Sequence, residues 1–386
     1  MVKKQAMGKG YTEKAGQAKV PEIIMEKPEW ELALEALLKK GSGEGKKALF
    51  LDFDGTMARF TDTPAETLAV YGFLSAVNKF LDKGYKVAVI TGRPIEGENG
   101  VLEALKRSGA TEELLNKLDI FGSHGVQHRG SETNWEVKVP EEIAKQIGPY
   151  AKLQVQLLNH LQQRIEDNEM LKGLLQYPQT DRGNEENLKP LLMSPDAGNS
   201  NGTMSNMSSV FALGISFEPK VLGATLHYRA VEKTKHDKVK NELDKLLSKI
   251  LPRNSDRENF SLLENETYKD FTYNPATEAY EIRLNPATTG VEVNKGTSVK
   301  FLVERWELKG AIAFGDDVTD LDMQTKLREL LESGKLEFQA FVGVKHARTP
   351  EKIMTDSTVI VVEGQESAVG LLNEMAENAE DQKSKP

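Results

Sequence analysis

A chain of 386 residues, 39 % hydrophobic and 28 % charged, is long enough for two hydrophobic cores and has the composition of a soluble globular protein. No apolar run approaches the roughly 20 residues of a membrane span, and a formal charge of -9 gives no broad basic surface for nucleic acid. With no cysteine there are no disulfides and no thiolate metal sites, so any metal must use oxygen or imidazole ligands, and hard cations such as magnesium are the default.

The opening segment, Met1 to Lys19, is basic and lacks the apolar core of a secretory signal, so a cytoplasmic location is expected. Pro28 to Lys40 carries Trp30, Leu34, Leu37 and Leu38 at helical spacing, closed by Gly41-Ser42-Gly43. Ala48 to Leu51 is an apolar run that reads as a buried strand opening into Asp52-Phe53-Asp54-Gly55-Thr56. A helix is predicted over Ala65 to Leu81, then a strand over Lys86 to Ile90 ending in Thr91-Gly92-Arg93-Pro94, another helix, and a strand at Asp119 to Phe121. This alternation implies parallel strands with crossover helices.

The rhythm then breaks. Glu141 to Arg164 reads as a helix, and about 177–209 is rich in Asn, Gly, Ser and Pro, which predicts a mobile loop. Strand pairs at Phe211 to Phe217 with Val221 to Tyr228, and at Tyr268 to Tyr273 with Ala279 to Leu284, flank a helix running to Ile250. They suggest an inserted α+β module. The α/β rhythm resumes with a helix over Thr297 to Trp306, a strand at Ala311 to Phe314, a helix over Leu321 to Leu331, and strands near Phe338 and Val359. The acidic tail after Glu374 is expected to fray.

Four pieces stand where loops at the carboxyl ends of parallel strands should converge. Asp52 and Asp54 are two apart beyond an apolar strand, and Gly55 permits a turn that points them into a site. An acidic turn alone would give the same pattern. Thr91 offers a hydroxyl and nearby backbone donors for a phosphoryl oxygen, or a helix cap. Lys295 precedes a helix and could neutralise a phosphoryl group, although an isolated loop lysine is usually solvated. Asp316, Asp317 and Asp320 put three carboxylates in five positions, which repel unless a cation or lysine lies among them; an acidic helix start is the alternative. His128, His160, His236 and His346 show no metal spacing and suggest surface or structural roles.

The order Asp-x-Asp-Gly-Thr, Thr91, Lys295 and Gly315-Asp316-Asp317-Val318-Thr319-Asp320 resembles the four-motif signature of the haloacid dehalogenase superfamily of phosphatases, across about Ala48 to Leu371. Gly122-Ser123-His124-Gly125, His227-Tyr228-Arg229 and Tyr280-Glu281-Ile282-Arg283 look like trehalose-6-phosphate phosphatases in particular. Gln127 and Leu321 stand where that family usually has Glu, and the stretch at 177–209 looks like an insertion.

The resemblance implies a doubly wound, parallel-sheet Rossmann-like α/β core with an inserted α+β cap domain. The core would span 48–139 and 292–375, and the cap 140–291, with a leader at 1–47 and a frayed tail at 376–386. It further implies Asp52 as nucleophile, Asp54 as acid/base, Thr91 and Lys295 as phosphoryl-binding groups, and Mg2+ held by Asp52, the Asp54 carbonyl and Asp316, supported by Asp317 and Asp320. His124, Lys220, Arg229, Glu281 and Arg283 would read the sugar. The expected substrate is trehalose 6-phosphate, with sucrose phosphate or mannosyl-phosphoglycerate as alternatives; a non-catalytic sugar-phosphate-binding domain is a third reading. Association with a sugar-phosphate synthase is a further implication.

Overall fold

The computed structural model describes residues 45–61, 64–174, 214–220, 222–253, 263, 266–276 and 278–383. The helix expected at Pro28 to Lys40 and the loop expected at 177–209 lie outside them. Eleven strands are present among the described residues: β1 Lys46–Leu51, β2 Lys86–Ile90, β3 Asp119–Gly122, β4 Gln127–Arg129, β5 Ser216–Lys220, β6 Gly223–His227, β7 Phe271–Ala276, β8 Ala279–Leu284, β9 Leu308–Gly315, β10 Phe338–Lys345 and β11 Val359–Glu363. The helices that bear on the site are α1 Phe73–Asp82, α2 Val101–Arg107, α3 Glu141–Asp167, α4 His236–Ile250, α5 Lys295–Trp306, α6 Leu321–Glu332 and α7 Gly364–Asn378.

Seven strands form one sheet in the order β11-β10-β9-β1-β2-β3-β4, parallel except for the β3–β4 pair. Along β1 the side chains alternate between two cores, as the strand period of two requires. Leu49 and Leu51 join α1, α2 and α7 on one face, and Ala48 and Phe50 join α5 and α6 on the other. The core is therefore doubly wound. The chain runs outward from β1 to β3 in one direction and from β9 to β11 in the other, so β1 and β9 flank the topological switch point where α/β folds open a crevice.

The second sheet, β5-β6-β8-β7, is antiparallel and forms the inserted cap. Leu226, Tyr280 and Ile282 bury one face of it against Leu157, Leu161 and Ile165 of α3 and Val239, Leu243 and Leu247 of α4. The opposite positions, Thr225, His227, Glu281 and Arg283, face the core instead. A small apolar cluster of Val126, Ile147, Leu222 and Val291 seals the root of the cap.

Several expectations are corrected. The segment from Ala65 forms only a short turn at Pro64–Glu66, and α1 begins at Phe73 after Gly72, which sits at φ 91°. Residues between them run extended because Val70 donates to the Met57 carbonyl and Ala69 bridges Ala58. The first cap strand runs Ser216–Lys220, past Phe217, where the apolar pattern predicts its end, while 211–213 lie outside the described residues. In the tail, α7 reaches Asn378, and Gln382 donates its amide to the Lys83 carbonyl while its side chain accepts from the Lys47 amide. Residues 384–386 lie outside the described set.

Phe50 is fully buried at the centre of the large sheet and stacks on Trp306 at 6.4 Å. Phe50→Ala should cost about 3–5 kcal/mol in a urea or guanidinium unfolding series, with the slope unchanged.

Candidate active site

The end of β1 places Asp52 beside the end of β9, whose next residue is Asp316. Thr56 joins the two: its hydroxyl lies 2.7 Å from Asp316 Oδ1 and 3.1 Å from Asp52 Oδ2, so its single proton is shared. Gly55, at φ 82°, brings the backbone so close that a Cβ there would lie 2.3 Å from Asp316 Oδ2. The glycine is required by both torsion and space.

Lys295 enters from the start of α5. That start is fixed by a reciprocal capping box, in which the Asn294 side chain accepts from the Thr297 amide and Thr297 Oγ1 accepts from the Asn294 amide. Lys295 Nζ donates to Asp52 Oδ1 and Asp320 Oδ1, both at 2.6 Å. Burial would lower the Lys295 pKa, but Asp320 and Asp52 outweigh it and push it up, so the ammonium stays charged.

Asp52, Asp316 and Asp320 offer carboxylate oxygens within 4.8 Å of one another, all buried. Asp320 is committed to its own loop: Oδ2 accepts from the Asp316 and Asp317 amides at 3.0 Å, and Oδ1 accepts from Lys295. Asp317 caps the Val318–Asp320 turn by accepting from the Val318 amide. Asp52 and Asp316 are thus the pair able to face a cation. Burial, then the Asp320 charge, raise both carboxyls well above their ordinary 3.8, with Lys295 opposing. A cluster of hard oxygen donors with one lysine against three carboxylates fits a divalent cation such as magnesium.

Asp54 is turned to Arg93, a contact that spacing along the chain did not reveal. The guanidinium donates in fork geometry to both Asp54 oxygens at 2.6 Å, and also to the Pro64 and Asn99 carbonyls and to Thr67 Oγ1. Thr91, fully enclosed at the end of β2, accepts from the Arg93 amide at 3.1 Å and keeps its own O–H free to donate.

His124 stands at the junction of core and cap. It and Ser123 adopt left-handed torsions, φ 56° and 50°, held by the His124 amide donating to the Thr91 carbonyl and the Ser123 amide to the Arg93 carbonyl. Its ring lies on Gly92, where a Cβ would come within 2.7 Å of Cε1. Nε2 is 3.5 Å from Glu281 Oε1, and Lys220 Nζ is 3.8 Å from the same oxygen. Burial lowers the His124 pKa, with Glu281 opposing. Burial alone would raise the Glu281 carboxyl, yet His124, Lys220 and Arg283 hold it well below the usual carboxylate range. His124 Nδ1 is buried and finds no hydrogen-bond partner among the described residues. Gln127 Oε1 accepts from the Ile95 amide and Ser123 Oγ, a role that needs only a carbonyl-type oxygen.

Every residue expected from the sequence to act in the site, from Asp52 and Asp54 to Arg229 and Arg283, lines one cleft of about 530 Å³ between core and cap. Arg229 Nη2 lies 2.7 Å from His227 Nδ1 along its wall. Of the other histidines, His128 pairs with Asp119 and His236 with the Val231 carbonyl, both structural. His346 does not keep to the surface: Nε2 is 2.9 Å from Asp316 Oδ2.

A doubly wound, mostly parallel α/β core with an inserted antiparallel cap is a fold found in solved structures. The C-terminal domain of Candida albicans trehalose-6-phosphate phosphatase shares it at a TM-score of 0.53 and 14 % identity, over 90 % of this chain and 96 % of that one. Aspergillus fumigatus trehalose-6-phosphate phosphatase is similar at 0.46 and 16 %, over 89 % and 97 %. The C-terminal domain of the Candida albicans trehalose synthase regulatory protein is similar at 0.46 and 9 %, over 87 % and 96 %. No protein-family model and no curated protein sequence matches the chain.

The raised carboxyls make a stability prediction. A folded-state pKa above the unfolded 3.8 contributes stability that is fully present below pH 3.8 and is lost as pH rises through the folded value. Without a cation, Asp52 and Asp316 therefore weaken the fold at neutral pH. Asp316→Asn should raise the melting temperature of chelator-treated protein at pH 7, and added Mg2+ should stabilise the wild type but no longer the variant.

Proposed function

We propose that the chain hydrolyses a sugar phosphate through an aspartyl-phosphate on Asp52, with trehalose 6-phosphate as substrate. The observation that carries this reading is the buried Asp52 carboxylate, held by Lys295 and Thr56 beside Asp316 at the floor of a cleft roofed by a polar cap face.

In this reading Asp52 attacks phosphorus and the bond from phosphorus to the sugar oxygen breaks. The leaving oxygen takes a proton from Asp54, which must first leave the Arg93 fork, where both its oxygens accept, and take up a proton from solvent. Water then attacks the phosphorus, Asp54 takes back a proton, and inorganic phosphate leaves Asp52 as a carboxylate. Lys295 and the Thr91 hydroxyl bind the phosphoryl oxygens. Asp52, Asp316 and the Asp54 carbonyl would hold Mg2+, which when bound supplies charge neutralisation between carboxylate and phosphate. Asp317 and Asp320 fix the loop that carries Asp316. The core limits are 48–139 and 292–375, and the cap limits 140–291. No described helix is long and apolar enough to cross a membrane; a cytoplasmic location and a functional link to a sugar-phosphate synthase belong to the same reading.

Phosphate release from a panel of trehalose, sucrose and mannosyl-glycerate phosphates, with Mg2+ and with chelator, tests it. Turnover of the trehalose ester, lost with chelator, is expected; preference for another ester removes the substrate assignment, and binding without turnover makes the chain a binding domain. Asp52→Asn should lower kcat by about 10⁴-fold or more, the scale seen when a nucleophile is removed. Rapid-quench trapping should place labelled phosphate on Asp52 and on no other residue.

Glu281, 3.5 Å from His124, and Lys220, 3.8 Å from the same Glu281 oxygen, would contact sugar hydroxyls. Alanine at either should cost about 2–3 kcal/mol of transition-state stabilisation, some 30- to 150-fold in kcat/KM for the sugar ester. Hydrolysis of a small aryl phosphate, which does not reach the cap, should hardly change. Equal losses on both substrates would remove these residues from sugar recognition.

A further inference from the structure

His346 follows β10 and turns back over the end of β9. Its ring is clamped on several sides. The Arg348 amide donates to Nδ1 at 3.0 Å, the His346 amide donates to Thr349 Oγ1 at 3.0 Å, and Thr349 Oγ1 donates on to the Val344 carbonyl at 2.8 Å. Phe60 meets the ring edge-on at 5.2 Å.

The backbone contact decides the tautomer. A nitrogen that accepts from an amide cannot carry a proton, so the neutral ring bears its hydrogen on Nε2, and Nε2 donates to Asp316 Oδ2 at 2.9 Å. The other oxygen, Oδ1, has the shared proton of Thr56. Among the described side chains Thr56 and His346 are the donors to Asp316; Thr56 shares its proton with Asp52, whereas His346 Nε2 donates to Asp316 alone, and His346 is not itself a member of the Asp52, Asp316 and Asp320 cluster.

We propose that His346 is a positioning residue for the cation site, using its Nε2–H to lock the Asp316 carboxylate in the orientation that faces Asp52. This rests on the reading that Asp316 holds the cation. A carboxylate ligand already held by a donor loses less rotational freedom on binding, and removal of such outer partners typically lowers metal affinity about 10- to 100-fold.

The test measures Mn2+ binding to the chelator-treated full chain by electron paramagnetic resonance, without substrate. His346→Leu keeps bulk against Phe60 but removes the donor, and it should weaken Mn2+ binding by about 10- to 100-fold. His346→Gln, which retains an N–H at similar reach, should bind close to wild type. Should the Leu variant lose its fold by circular dichroism, His346→Asn, too short to reach Asp316, replaces it with the same expected loss. Equal affinity in wild type and the donor-less variant overturns the role of His346 alone, as does a Gln variant as weak as the Leu variant. A wild type that binds no Mn2+ overturns both this role and the cation reading beneath it.

Discussion

Three carboxylates and one ammonium share a water-poor spot at the carboxyl ends of β1 and β9: Asp52, Asp316 and Asp320 around Lys295, each at most 4 % exposed. Removing each charge from water costs several kcal/mol even after relaxation, and one lysine cannot repay three carboxylates. The surrounding structure answers that imbalance. Asp320 spends its oxygens on Lys295 and two loop amides. Thr56 divides one proton between the remaining pair. What is left is a concentration of negative charge that favours a small divalent cation.

Much of this was legible from the sequence because it obeys short-range rules. The apolar runs at Ala48 to Leu51 and Ala311 to Phe314 had to be buried parallel strands, and acidic residues directly after them had to fall at strand ends. Strand alternation alone could not tell the cleft face of the cap from a solvated one: Glu281 and Arg283 alternate with the buried Tyr280 and Ile282, and only the family resemblance pointed them at the cleft.

The residues that escaped are those placed by tertiary contact. Arg93 reaches Asp54 across 39 positions and His346 reaches Asp316 across 30, and neither interval leaves a periodic or motif signal. The early start assigned to α1 failed for a related reason. Residues 67–71 have acceptable helical composition, but capture of Thr67 by Arg93 and of Val70 by Met57 holds them extended, and Gly72 supplies the turn. The β3–β4 pair was missed because Gln127-His128-Arg129 is polar in type although buried in fact: His128 satisfies Asp119 while stacking on Phe121.

Core and cap are not independent readers of the two ends of a ligand. His124 rests its ring on Gly92, bonds its amide to Thr91, and extends Nε2 toward Glu281 of the cap. Two consecutive left-handed residues without glycine are costly, so this arrangement persists only because Arg93, Thr91 and Gln127 pin the loop from below. The same Arg93 holds Asp54. Glu281, His124, Thr91, Arg93 and Asp54 are thus joined in one chain of contacts from cap to core. Under the proposed sugar-phosphate reading, that chain of contacts would tie the cap end of the cleft to the groups around phosphorus, the arrangement required if remote binding energy is to lower the barrier and not merely tighten the ground state.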